Sequence, residues 1–272
     1  MKTSITNDNI QTRKYKPEFL PSLGGILVWL VLWQIAAMKI DMTLLLPSPI
    51  EVLHRLGQLC ITADFWDTVL YSLLRVLAGF LGGLVFGSIL AWLAWCSNIA
   101  QALISPLIGA LKAIPVASFI ILALVWVKTS YLAAVVSFIM VVPMVYHNIR
   151  AGLDAADPEL LEMAQVFCLS RWKKCRYIYL PALLPFFLSA VSSALGFAWK
   201  SGIAAEVLGK PARAIGKQIN DAKTYLEMPD LFAWTLVVVI LSILLEKIAV
   251  GMVGRIGRKN NEAGKDKPFL RK

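Results

Sequence analysis

Residues 154–181 read DAADPELLEMAQVFCLSRWKKCRYIYLP. The stretch is charged, amphipathic and helix-capable, and it lies between strongly apolar neighbours. Those neighbours decide the fold class. Of the 272 residues 58% are hydrophobic and 16% are charged, with a mean hydropathy of +0.68; a soluble domain of this length carries more charge. Apolar runs of about 20 residues, each able to cross a hydrocarbon core ~30 Å thick, recur over 21–38, 68–95, 100–127, 130–147, 181–204 and 230–252. The expectation is an all-α integral membrane protein. Six transmembrane helices fill 21–252, tails occupy 1–20 and 253–272, and 154–181 is one polar excursion.

The net charge is +10. Sixteen basic residues fall on the side of the termini and the 154–181 loop, and seven on the other. By the positive-inside rule both termini and the loop are cytoplasmic, which accounts for the charge without nucleic-acid binding. A polar stretch precedes the first apolar run and no small-residue cleavage site follows, so the first span reads as a retained anchor. Cys60, Cys96, Cys168 and Cys175 lack CxxC spacing, and His54 and His147 are the only histidines. Free thiols are expected, with no metal site and no cofactor.

Outward from the loop, Gly79, Gly83 and Gly87 form a GxxxGxxxG stripe in the second span. It predicts close helix packing, because small residues let backbones approach in lipid. Pro106 and Pro115 interrupt the third span with Lys112 between them, Pro143 interrupts the fourth, and Gly196 and Gly202 loosen the fifth. Broken backbone at membrane depth needs protein or a water-filled cavity to satisfy it, and transporters use such places; kinking for packing alone is an equal reading. LLLPSPIEVLHRL (44–56) predicts an interfacial helix capped by Ser48, with Ile50, Leu53 and Leu56 on one face. Ile215, Ile219, Ala222 and Leu226 mark another helical stripe. The polar C-terminal tail is expected to be disordered.

Within the loop, Asp157 caps a first helix that has Pro158 at its first position and Glu159 in its first turn. Leu160, Ala164 and Phe167 share a face. Ser170 caps a second helix, which Pro181 ends, and Trp172, Tyr177 and Tyr179 supply aromatic surface. A purely structural amphipathic loop fits the same pattern.

Glu162, Ala164 and Leu180-Pro181 make this loop resemble the EAA-type coupling loop of ATP-binding-cassette (ABC) importer permeases. DPELLE (157–162) and SRW (170–172) are similar to the nitrate/sulfonate/taurine branch. LPSP (46–49), LLRVLAGFLGG (73–83), KAIP (112–115), LGFAWKSGIAAEVLG (195–209) and IGKQINDAKTYLEMPDLFA (215–233) fall where that branch has similar segments. Two positions depart. Cys168 stands where the loop usually has glycine between its helices, and Ala214 where glycine often precedes Ile215-Gly216. The resemblance implies a type I ABC importer permease in a bacterial plasma membrane. It implies that the loop docks on a cytoplasmic ABC ATPase dimer through Asp157, Glu159, Glu162, Ala164, Phe167, Cys168, Arg171 and Trp172, with Glu162, Ala164 and Phe167 at the core. It further implies a second permease copy in a homodimer and an extracytoplasmic solute-binding protein.

Arg75, Lys112, Lys200, Glu206 and Glu246 lie within or close to the spans, where ionisable residues default to function. Arg75, Lys112, Pro115, Lys200 and Glu206 are the candidate pathway residues. Snorkelling accounts equally for Arg75, Lys200 and Glu206 could pair across the turn at Gly202, and Glu246 reads as interfacial. The cationic balance suits a small anion of the nitrate, sulfonate, taurine or bicarbonate kind; thiamine precursors stay open within the same resemblance. No GxxxxGK[ST] phosphate loop occurs, nor a Ser-His-Asp, HExxH or carboxylate pair at a workable spacing. The chain therefore reads as a permease and not an enzyme, with ATP hydrolysis on a partner. The alternative, a secondary transporter driven by an ion gradient, needs a buried acidic or polar site near the midplane, whereas the deep residues here are mostly basic.

Overall fold

The computed structural model describes residues 19–40, 42 and 44–265, with side chains between 24 and 251 except those of 26, 41 and 43. The expectations for the first eighteen residues and for 266–272 lie outside the described residues. All regular structure among the described residues is helical.

The chain opens with α1 (Phe19–Ile40), apolar over Leu27–Ile40. α2 (Pro49–Ile61) begins at Ser48, whose side chain and that of Glu51 cap each other's backbone in a capping box. Val52 is the buried residue of its apolar set; Ile50 and Leu53 point outward, so the face expected to be shared by Ile50, Leu53 and Leu56 is split. Arg55 grips Asp230 with both nitrogens of its fork, Nη2 reaching Oδ2 at 2.9 Å. α3 (Ala63–Cys96) and α6 (Thr129–Asp154) are long apolar helices. They run parallel in constant register. A Cβ on Gly79 would meet the Ala134 carbonyl, one on Gly83 the Phe138 carbonyl at 2.8 Å, and one on Gly87 the Val142 carbonyl at 2.9 Å. The glycine stripe is therefore the α3–α6 contact line, where absent side chains let the backbones touch.

Two parallel helices of this length require the chain between them to return across the whole bundle. α4 (Asn98–Ala113) and α5 (Val116–Trp126) do so, bent by 106° at Ile114-Pro115. The interrupted span expected over 100–127 is thus two helices, broken at Pro115, where proline withdraws a hydrogen bond and disfavours helical backbone at the preceding residue. Pro106 stays inside α4.

Beyond α6, Asp157 accepts the Glu159 N–H at 2.9 Å and starts α7 (Pro158–Val166). α7 ends at Cys168, which holds φ 48°. The Cys168 N–H bonds the Gln165 carbonyl at 3.0 Å, and the Leu169 N–H bonds the Ala164 carbonyl at 2.9 Å. This is a Schellman closure with cysteine in the left-handed position that glycine prefers. The turn is neither rebuilt nor smoothed into continuous helix.

Ser170 then caps α8 (Arg171–Lys174), which passes through a π-turn (Cys175–Tyr179) into α9 (Leu180–Gly209). Pro181 does not end the second loop helix, contrary to the sequence expectation. The π-turn, closed by the Leu180 N–H on the Cys175 carbonyl, makes room for the proline ring. The result is one helical run from Arg171 to Gly209, 39 residues long. α9 packs antiparallel to α6, with Gly202 against Ser137 and Gly209 against Leu132. α10 (Ile215–Thr224) and α11 (Met228–Lys265) complete the fold. α11 continues beyond 252 to Lys265, so the first part of the expected disordered tail is helical.

Four helices, together with the α4–α5 pair, are long and apolar enough to cross a membrane. Buried side chains of α3, α6, α9 and α11, among them Trp199, Val76, Val141 and Trp234, form the main core.

Two outcomes are expected. Gly83→Ala should cost about 1–3 kcal/mol through backbone displacement, while Gly82→Ala, facing only the Phe138 ring at 3.2 Å, should be near neutral; thermal unfolding of the detergent-solubilised protein compares them. Cys168→Gly should relieve a left-handed cost of roughly 1 kcal/mol and slow amide exchange in α7.

Candidate functional site

Three places carry the expected site residues. They sit at opposite ends and along one flank of the bundle.

The first is the 154–181 loop. Ala164 is fully buried, packed with Ala156, Ile178, Leu161 and Leu169. It pins α7 back onto the π-turn, and so it does not share an exposed face with Leu160 and Phe167 as its spacing predicts. What α7 turns outward is Glu159, Glu162, Met163, Val166 and Phe167, the last 71% exposed. Arg171 and Trp172 are exposed beside them, as is Cys168. Asp157 caps the helix from the same side. An apolar patch ringed by both signs of charge has the composition of a protein interface. Behind it, Tyr179 of the π-turn stacks edge-on against Trp95 of α3 at 4.7 Å, fixing the loop to the bundle.

The second place is the far end of the bundle, away from the loop. Glu206, in the last turn of α9, is 0% exposed. Its carboxylate accepts from Ser72 Oγ at 2.8 Å, Arg75 Nη1 at 3.4 Å and the Gly216 N–H at 3.3 Å. Ser72 Oγ in turn accepts the Ile215 N–H at 2.9 Å. The first amides of a helix lack intrahelical partners, and Ala214 at the N-cap of α10 has no side chain to offer. Glu206 and Ser72 supply the missing cap from two other helices. Arg75 continues the cluster by donating to the carbonyls of Ala212 and Arg213 at 3.0 and 3.1 Å. An unpaired carboxylate here would cost several kcal/mol; these donors offset that cost. Ala214 is extended (φ −138°), so the departure from glycine there imposes no strain.

Arg75 and Glu206 are thus brought together. Lys200 is not their partner: it is exposed on α9 and makes no hydrogen bond or ion pair among the described residues. The sequence reading missed Ser72, Ile215 and Gly216. Ser72 lies three residues before Arg75 on one helix face, the only local sign of the cluster.

The third place is the kink flank. Lys112 and Pro115 line a cleft of ≈ 570 Å³ between the α4–α5 bend and α6, floored by Met140, Pro143 and Met144 and edged by Phe197 of α9. His147 and Asn148, also missed, face the same space. No carboxylate lines it. Glu246 lies on α11 by a separate shallow hollow with Lys247.

Comparison with known proteins gives these features a context. A probable ABC transporter permease protein of Brucella melitensis is 27% identical over 208 residues, 75% of this chain and 82% of that protein. The taurine transport system permease protein of Escherichia coli is 24% identical over 257 residues, covering 89% and 92% of the two chains. A chain of the inward-facing MetNI methionine ABC transporter superposes with a TM-score of 0.55 at 17% identity, over 70% of this chain and 93% of that one, a likeness of fold. Residues 83–261 match the family described as binding-protein-dependent transport system inner membrane component, which is most of the chain. By that match, the chain belongs to this family of ABC importer permeases and is a multi-pass protein of the bacterial plasma membrane.

Proposed function

We propose that this chain is the translocation subunit of an ATP-driven importer of a small anion. An extracytoplasmic binding protein delivers the solute, and a separate cytoplasmic ATPase dimer works the chain through the 154–181 loop. Both termini lie in the cytoplasm, and a second copy completes the pathway as a homodimer.

The observation that carries this reading is the exposed face of α7. Met163, Val166 and Phe167 stand out in water between Glu159, Glu162 and Arg171, on a loop whose opposite face is already satisfied by its own bundle. A merely structural loop would turn these side chains inward, at about 1.5–3 kcal/mol for each large apolar group buried. The core of the docking face is then Glu162, Val166 and Phe167, with Ala164 behind it as the internal pin. Asp157, Glu159, Arg171 and Trp172 form the rim, and Cys168 holds the turn.

An anionic solute is supported by the kink cleft, where Lys112 and His147 face one space that no acidic side chain lines. A relative from Escherichia coli is named a taurine transport permease, and taurine carries a sulfonate group at neutral pH. Lys112, Pro115 and the exposed Lys200 are proposed to border the path. Arg75 and Glu206 act beside it, through each other.

Phe167→Asp should leave the permease folded yet remove the ATPase from the purified complex and cut solute-stimulated ATP hydrolysis at least about tenfold, the scale of a 1.4 kcal/mol interface loss. Ala164→Asp should instead unfold the loop by burying a charge. Wild-type hydrolysis and assembly in Phe167→Asp would refute the docking face. Lys112→Met should lower uptake of taurine or nitrate into proteoliposomes by about an order of magnitude, as expected for a lost charge contact, with the complex still assembled; undiminished uptake would return Lys112 to a structural role.

A further inference from the structure

The far-end cluster joins α3, α9 and α10, and it sits at the end of the longest helical run in the bundle. From Arg171 to Gly209 the chain is one helix of 39 residues, about 60 Å at the usual rise per residue. Its loop end is fixed to α7 through Ile178 and Ala164. Its far end carries Glu206. Between these ends Gly202 is locked, since a Cβ there would lie 2.5 Å from Val76 and 2.7 Å from Ser137 Oγ. A displacement of the loop therefore moves α9 together with α3 and α6 as one body.

We propose that Glu206 is a positioning residue that transmits this displacement to α10, so that the outer helix is held or released according to the position of the loop at the other end. Four features make the joint specific. The Glu206 carboxylate and Ser72 hydroxyl are the only caps on the α10 amides of Ile215 and Gly216 among the described residues. α10 is ten residues, polar and short, and such a helix depends on its neighbours for order. Gly216 lets the two backbones meet, because a Cβ there would lie 2.4 Å from Glu206 Cβ and from the Val207 nitrogen. Arg75 fixes the intervening corner by its carbonyls at Ala212 and Arg213 while pairing with Glu206. A shift of that body relative to α10 must lengthen some of these bonds together, since the Glu206 carboxylate and the Ser72 hydroxyl both reach the α10 terminus. The partner of the joint is thus this chain's own outer helix, and its input is the loop. The input rests on the ATPase reading above; the joint does not.

The test is amide hydrogen exchange on the assembled complex of permease and ATPase in lipid nanodiscs, without nucleotide and after trapping with ATP, magnesium and vanadate. In the wild type, peptides covering 158–166 and 215–224 should both change exchange between the two states, the second by about fivefold or more, the scale of one hydrogen bond. In Glu206→Gln and in Ser72→Ala the 158–166 peptide should still respond, while the response of 215–224 falls to under about half of the wild-type value. A purely structural role for Glu206 predicts faster exchange of 215–224 in both states with the nucleotide-dependent difference intact, and that result overturns the proposal. So does a wild-type 215–224 peptide that ignores nucleotide while 158–166 responds. Should 158–166 itself ignore nucleotide with the ATPase bound, the docking face is wrong, and the input assigned to the joint falls with it.

Discussion

Helices in lipid gain little by hiding apolar faces from one another, since the lipid is as apolar as they are; how closely their backbones can approach decides whether they associate. In this chain that approach is concentrated on α6. Gly79, Gly83 and Gly87 of α3 lie on one of its sides, and Gly202 and Gly209 of α9 on another. Ser137 ties α6 to α9 by donating to the Ala198 carbonyl at 3.0 Å. The rest follows from this seam. Because α3 and α6 are parallel, the connection must cross back. Because that connection contains Pro115, it crosses in two pieces, and the bend opens the cleft in which Lys112 sits.

The seam also explains how a carboxylate can be fully buried at the far end. Glu206 lies three residues before the end of α9, and every partner it has among the described residues donates to the charged form: a hydroxyl, a guanidinium and a backbone amide. A carboxyl group that cycles a proton in gradient-driven transport sits on the solute path and must lose its partners without collapse of the surrounding helices. Glu206 has the opposite character. Its partners come from α3 and from the start of α10, and removing the carboxylate would take an acceptor from Ser72, Arg75 and the Gly216 amide. That weighs against the secondary-transport alternative more strongly than the scarcity of acidic residues does.

Local signals were readable from the sequence. The caps at Ser48, Asp157 and Ser170 and the glycine stripe each depend on residues within a few turns of one another, and each stands where its pattern puts it. The turn at Cys168 is not readable in this way, since cysteine in place of glycine leaves a rebuilt turn or a continuous helix open; the structure keeps the left-handed residue. What failed depends on distant chain. Ala164 has the spacing of an outward face, but α7 folds back on Ile178, and no periodicity within α7 encodes that. Pro181 looks like a stop signal because the rule assumes an α-helix ahead of it; a π-turn removes the clash. Arg75 and Glu206 are 131 residues apart, and their pairing follows only from the α3–α9 crossing. Lys200, one and a half turns before Glu206, faces another way.

Rigidity and compliance are divided between different helices. The α3–α6–α9 seam has no room to slide, for its glycines already lie at or inside contact distance of the opposing chain. The flank beside it is different. A Cβ added at Gly109 in α4, or at Gly196 on α9, would meet nothing within 4 Å, and α4 and α5 meet at a bend of 106°. A subunit of this kind deforms where its packing is loose, and Lys112 and His147 line the space at that bend. On the reading proposed above, the solute path and the deformable flank are therefore the same place. Force enters at α7 and travels along the rigid run to the far end, and the kinked pair yields beside it. A path built between rigid helices would need the seam itself to open, and the close backbone contacts along it oppose that.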